Sequence, residues 1–125
     1  MAGERFYTVE EANAMLPRLR PLLERIRERQ AALAEDRSLA VIREKAAQNG
    51  GGAPAHDLSA RVREIESDLV QLTEWGIILR DPKIGLTDFP HRRQGTTVYL
   101  CWKLGEPAIG YWHPIETGIA GRQPL

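Results

Sequence analysis

The stretch TTVYLCWKLGEPAIGYWH, Thr96 to His113, decides the fold of this 125-residue chain. It holds the single cysteine, two of the three tryptophans, two of the three tyrosines and one of the three histidines. Val98 to Lys103 is β-branched, aromatic or long, the composition that suits a pleated, half-buried surface. Gly105 can take positive φ and Pro107 cannot sit in a central strand, so Leu104 to Pro107 reads as a turn. Ala108 to His113 then runs back as the second arm of a β-hairpin. Closing the turn around Gly105 and Glu106 sets Trp102 opposite Ile109, Leu100 opposite Tyr111 and Val98 opposite His113. Cys101 then faces Gly110, and Tyr99 faces Trp112.

Side chains alternate across a strand with period two. In this register Val98, Leu100, Trp102, Ile109, Tyr111 and His113 share the face assigned to the core. Tyr99, Cys101, Gly110 and Trp112 share the other. Cys101 and His113 are therefore expected on opposite sides, which argues against a Cys–His catalytic pair or a shared metal site. A slip of one residue reverses that conclusion. Cys101 itself is read as a buried, inert thiol.

Upstream, the period changes. Ile77 to Arg80 reads as a short strand, Asp81 to Gly85 as a turn with Pro82 at its second position, and Leu86 to Phe89 as a strand stopped by Pro90. His91 to Gly95 is expected to be a polar, cationic loop. Downstream, PIETGIAGRQPL has two prolines and two glycines and is expected to be irregular.

The amino-terminal half has helical periodicity. Thr8 and Glu11 form a Thr-x-x-Glu capping box. Pro17 and Pro21 predict a short first helix with a break or kink near Pro17. Leu16, Leu19, Leu23, Ile26, Gln30 and Leu33 then recur at spacings of three and four, a coiled-coil-like seam. Residues 48–56, rich in glycine, end the helix. Asp57 is a candidate N-cap for a second helix carrying Leu58, Val62, Ile65, Leu69 and Leu72, with Gly76 as its C′ residue. The fold class expected is α+β in a single domain, 1–125. A long antiparallel α-hairpin fills residues 8–75, and a small antiparallel sheet with an irregular tail fills 76–125. Leu19, Leu23, Ile26, Val62, Ile65, Leu69 and Leu72 are expected to dominate the helical core.

Three sequence segments resemble a bacterial family catalogued as domain of unknown function 2203. They are the opening YTVEEANAMLP, the run GLTDFP with VYLCWKLGEP, and the ending YWHPIETGIAGRQPL. The resemblance implies paired helices with a small antiparallel sheet. It implies no activity, ligand or catalytic residue.

Composition narrows the function classes. Formal net charge is zero and the charges are spread along the chain, so nothing draws it towards nucleic acid. One cysteine excludes an internal disulfide and a multi-cysteine zinc site, and it suits a reducing cytoplasm. No run is long enough to span a bilayer, and no membrane role is expected. No nucleotide-binding loop or nucleophile elbow is present.

The residues that could carry chemistry lie after Leu86. His113, His91, Asp88, Glu106 and Glu116 together offer an N/O donor set for a divalent transition metal, if the fold brings them together. Arg92, Arg93 and Arg122 could bind an anion through paired guanidinium hydrogen bonds. The helical seams are long for so small a chain, and helix-to-helix dimerisation would cover them. The leading expectation is a cytoplasmic, non-enzymatic interaction or scaffold protein that self-associates as a homo-oligomer. The alternative is a small metal- or anion-binding protein, with enzyme chemistry left open, whose site lies in the carboxy-terminal sheet region. The small-molecule ligand and the partner are not specified by the residues.

Overall fold

The structure is a computed structural model that describes residues 5–48 and 58–125. Helix α1 spans Val9–Gln48 and α2 spans Ser59–Trp75. Five strands follow: β1 Ile78–Asp81, β2 Leu86–Arg93, β3 Thr96–Lys103, β4 Tyr111–Pro114 and β5 Gln123–Pro124. They form one antiparallel sheet in the order β1-β2-β3-β4-β5, a meander in which every strand pairs with its neighbour in sequence. The α+β class read from the sequence is the class observed.

The first helix starts where its capping residues place it. The Glu11 amide donates to Thr8 Oγ1 at 3.0 Å, and the Thr8 amide donates to Glu11 Oε1 at 2.8 Å. The expected break at Pro17 does not occur, because α1 is continuous through both prolines. Both lie on the exposed side of the helix. The carbonyls left without a helical donor are those of Asn13 and Pro17, and a carbonyl on the solvent side of a helix can bond water instead. The opposite side buries Ala12, Met15, Leu16, Leu19, Leu22, Leu23 and Ile26. Each large aliphatic side chain buried there is worth about 2 kcal/mol, enough to outweigh a helix-breaking preference.

Helix α2 is preceded by Leu58 with no side-chain cap, and the expected N-cap, Asp57, lies outside the described residues together with most of the loop 48–56. Gly76 ends α2 as expected, in the left-handed region at φ 73°, with the Ile77 amide reaching back to the Leu72 carbonyl at 3.0 Å. Of the core expected on α2, Ile65 and Leu72 are buried, Val62 is half-buried and Leu69 is exposed. Asp68 takes the buried position between them. It accepts from Arg25 Nε and Nη2 at 3.2 and 3.1 Å and from Arg29 Nη1 at 2.7 Å, so an ion triad joins the two helices.

Tyr7 links three elements. Its amide donates to the Pro90 carbonyl at 2.7 Å, its hydroxyl donates to the Trp75 carbonyl, and its ring meets Phe89 edge-on at 5.1 Å. Pro90 does not stop β2, which runs on to Arg93. The reason is positional. Pairing with β1 ends at Asp88, and the Pro90 carbonyl points to that vacated side, as does its nitrogen. The missing N–H therefore costs no bond to β3. His91, Arg92 and Arg93 are consequently strand residues. The loop expected at 91–95 shrinks to a two-residue turn at Gln94 (φ 50°) and Gly95 (φ 78°), the positive-φ pair that suits a tight hairpin.

The hairpin of β3 and β4 forms in a register one residue away from that expected. Tyr99 pairs with His113, Leu100 with Trp112 and Cys101 with Tyr111. The turn itself closes at Gly105, where the Glu106 amide donates to the Lys103 carbonyl at 3.1 Å. The chain then does not pair at once. Arg20 of α1 donates to the Glu106 and Pro107 carbonyls, and Asn13 Oδ1 accepts from the Ile109 amide at 2.9 Å. These helix contacts hold residues 104–110 as an odd-membered loop, and the odd count exchanges the two faces of β4. Leu100, Trp102 and Ile109 remain in the core and Trp112 packs against it, while Tyr111 turns outward. His113 joins Cys101 on the face away from the core. The tail crosses that face and is not irregular throughout. It makes a 3-10 turn at Gly118–Gly121 and then β5, whose Pro124 and Gln123 pair with Tyr111 and Trp112.

Candidate functional site

The exchanged register assembles a polar cluster on the second face of the sheet. Asp88 pairs with Cys101 across β2 and β3, and His113 lies diagonally across on β4. Asp88, Cys101 and His113 are all buried, at 2, 0 and 2% exposure. One ligand atom from each, a carboxylate oxygen, the sulfur and an imidazole nitrogen, lies within 4.8 Å of the other two. Among the described residues this is the one group of three such side chains that could hold a metal ion.

The surrounding contacts orient each member. His113 Nε2 is 2.9 Å from Asp88 Oδ1, and its Nδ1 is 2.8 Å from the Pro114 carbonyl. A carbonyl only accepts, so Nδ1 carries a hydrogen and donates to it. Nε2 is left directed at the cluster. Arg80 Nε, from β1, donates to the other carboxylate oxygen, Asp88 Oδ2, at 2.8 Å. The Arg80 guanidinium also covers the Tyr99 ring at 5.2 Å, and the Tyr99 ring stands 5.5 Å from that of His113. The hydrogen bond to Asp88 strengthens the hold of Arg80 on its proton. Burial, with the Asp88 charge adding to it, pushes the Cys101 thiol up to about 11. Cys101 is therefore a neutral thiol near pH 7, not a nucleophile.

The geometry also limits what His113 can do. A general base needs a ring nitrogen free to face a substrate. Both nitrogens of His113 face protein oxygens, so an acid–base dyad with Asp88 would have no nitrogen to offer. A metal ligand needs what is present: one nitrogen pinned by a backbone carbonyl and the other aimed at neighbouring donors.

The remaining candidates go elsewhere. His91 is on the helix-facing side of β2, opposite to Asp88, with Nδ1 2.7 Å from the Tyr7 carbonyl. Glu106 forms an ion pair with Arg122 and accepts from the Lys103 amide at 2.9 Å. Glu116 is exposed on the tail. Of the five metal candidates, the fold thus brings together only Asp88 and His113, and it adds Cys101. The three arginines do not converge as an anion site. Arg92 donates to Thr97 and the Gly95 carbonyl, and its guanidinium lies 5.5 Å from the Phe6 ring centroid. Arg93 lies over Trp112 at 4.4 Å, and Arg122 over Tyr111 at 4.0 Å. Arg80, Tyr99 and the Pro114 carbonyl complete the cluster and carry no local signal in the sequence. The one signal for Cys101 is the loop length, through its parity.

Residues 5–125 match the model of a family described as an uncharacterized conserved protein, DUF2203. No curated protein and no solved structure matches the chain.

Proposed function

Because the chain belongs to the DUF2203 family, whose description assigns no activity, we propose from its geometry that it is a metal-binding protein. Its centre is Asp88 Oδ1, Cys101 Sγ and His113 Nε2. The observation that carries this reading is the convergence of the three donors in a buried place, with the outer contacts of a metal site already made. The Pro114 carbonyl holds the imidazole by Nδ1, and Arg80 holds the carboxylate by Oδ2, so each ligand turns its other atom inward. A mixed N/O/S set favours a borderline-soft divalent ion of the zinc class over magnesium or calcium. Binding would displace the thiol proton, since the thiolate is the ligand.

The test is a titration of chelator-treated protein with zinc(II) against a chromophoric chelator, and with cobalt(II) followed by absorption. The expected result is one metal per chain and a thiolate-to-cobalt charge-transfer band. Cys101→Ser should abolish the band, and His113→Ala should weaken binding about 100-fold or more, beyond the effect typical of outer-shell changes. Equal affinity in wild type and both variants, with circular dichroism showing them folded, would refute the reading.

A second reading, self-association through the helices, is supported by apolar side chains exposed on them: Leu39, Val41 and Ile42 of α1, and Leu69 and Val70 of α2. Sedimentation equilibrium tests it, and a monomer at high micromolar concentration counts against it. A buried thiol at the centre of the site also fits a reducing compartment, the cytoplasm.

A further inference from the structure

The metal centre does not stand alone on its face of the sheet. A cavity of about 280 Å³ adjoins it, lined by Arg80, Asp88 and His113 on one side and by Leu86, Ile115 and Ile119 on the other. Its polar wall contains two of the three proposed metal ligands and the arginine that braces one of them. Its apolar wall comes from β2 and from the tail that crosses the sheet.

Resting on the metal reading above, we propose that this centre keeps its fourth coordination position open to the cavity, and that the position takes a small aliphatic carboxylate. Three observations carry the inference. The first is the donor count, since the described residues bring together three protein ligands, the number that leaves one position to solvent or substrate in a tetrahedral zinc-class site. The second is charge. A divalent ion with one carboxylate and one thiolate is neutral, and Arg80 beside it leaves a net positive charge that an anion would balance. Arg80 is 44% exposed while bonded to Asp88. It lines the cavity with a planar guanidinium suited to a carboxylate. The third is the shape of the remaining wall. Leu86, Ile115 and Ile119 offer apolar contact to a tail of a few carbons, and the volume lies at the low end of small-molecule sites. One carboxylate oxygen would meet the metal and the other Arg80.

Cobalt(II)-loaded full-length protein titrated with butyrate tests this, followed in the visible ligand-field bands. The expected result is a saturable spectral change with one butyrate per metal. At saturating cobalt, Arg80→Met should weaken butyrate binding roughly tenfold, the loss of one good charge-assisted contact. Ile119→Trp, which fills the cavity from an exposed position of the tail, should remove the butyrate response and leave the thiolate-to-cobalt band intact. A cobalt–thiolate spectrum that butyrate does not alter would overturn the open position while the metal reading stood. A butyrate effect of equal strength in wild type, Arg80→Met and Ile119→Trp would mean adventitious anion binding and would overturn the proposal as well. If no cobalt–thiolate spectrum formed, both readings would fall together.

Discussion

Replacing Asp88 with asparagine should cost the protein in chelator about 2 kcal/mol, and the figure follows from its contacts. The carboxylate is 2% exposed, lies 2.9 Å from His113 Nε2 and accepts from Arg80 Nε at 2.8 Å. Hydrogen bonds to a charged group contribute about 1.5–3 kcal/mol each. Asparagine can keep the Arg80 bond through its oxygen, and its NH₂ group can donate to Nε2 of a neutral His113, so both contacts survive without the carboxylate charge. Both bonds lose their charge assistance and with it about half of their strength, a total of roughly 2 kcal/mol. Rehydration reduces this total on one side only, because Arg80 is 44% exposed but His113 is 2% exposed. For a domain of this length about 2 kcal/mol corresponds to roughly 7 °C in Tm. The assay is urea and thermal unfolding in chelator, with an unchanged urea slope as the check on two-state behaviour. Arg61→Met, which removes a 2.8 Å ion pair with Asp36 outside this cluster, is the internal control. Because Arg61 and its partner Asp36 are 44% and 15% exposed, removing the arginine should cost only about 0.5 kcal/mol. The reasoning would be wrong if Asp88→Asn unfolded within about 1 kcal/mol of wild type, or if the two variants were equally damaging.

Two further expectations concern the helices. Asp68→Ala should destabilise by about 2 kcal/mol in urea unfolding, less than the 3–5 kcal/mol typical of a fully buried pair, because the Arg25 and Arg29 side chains it releases are 47% and 29% exposed. A loss above about 4 kcal/mol would show that those guanidinium groups cannot rehydrate. Thr8→Ala should lose about 1 kcal/mol of capping. It should also flatten part of the acid limb of the stability profile, the part that the Thr8 hydroxyl supplies. The Thr8 amide, which alanine keeps, and more weakly the Thr8 hydroxyl, which alanine removes, hold the Glu11 carboxyl below its ordinary value of 4.5. A depressed carboxyl stabilises the fold above the unfolded value, and that contribution fades as pH falls through the folded one. Wild-type Tm should therefore drop below pH 4.5 more steeply than that of Thr8→Ala, and parallel profiles would disprove the coupling.

Much of this fold is written in local sequence. The capping box at Thr8 and Glu11, the glycine at position 76, the spacing of Leu16, Leu19, Leu23 and Ile26, and the β-rich run from Val98 to Lys103 each form what their local chemistry dictates. So do the class and the meander order, because short connections leave neighbouring strands little choice. Pro17 and Pro90 show the limit. A proline is disruptive only if the donor it lacks was needed, and that depends on which side of the element meets water or a neighbouring chain.

The candidate site lies beyond that limit. Asp88 and His113 stand out by residue type, but whether Cys101 joins them turns on whether the loop after Lys103 closes with an even or an odd number of residues. Nothing inside the hairpin decides that count. Arg20 and Asn13, distant in sequence, decide it by holding the loop against α1. Alternation along a strand is a local property and can be read from the residues. The phase of one strand against the next is set by contacts from elsewhere in the chain, and a shift of one residue exchanges a core face for a site.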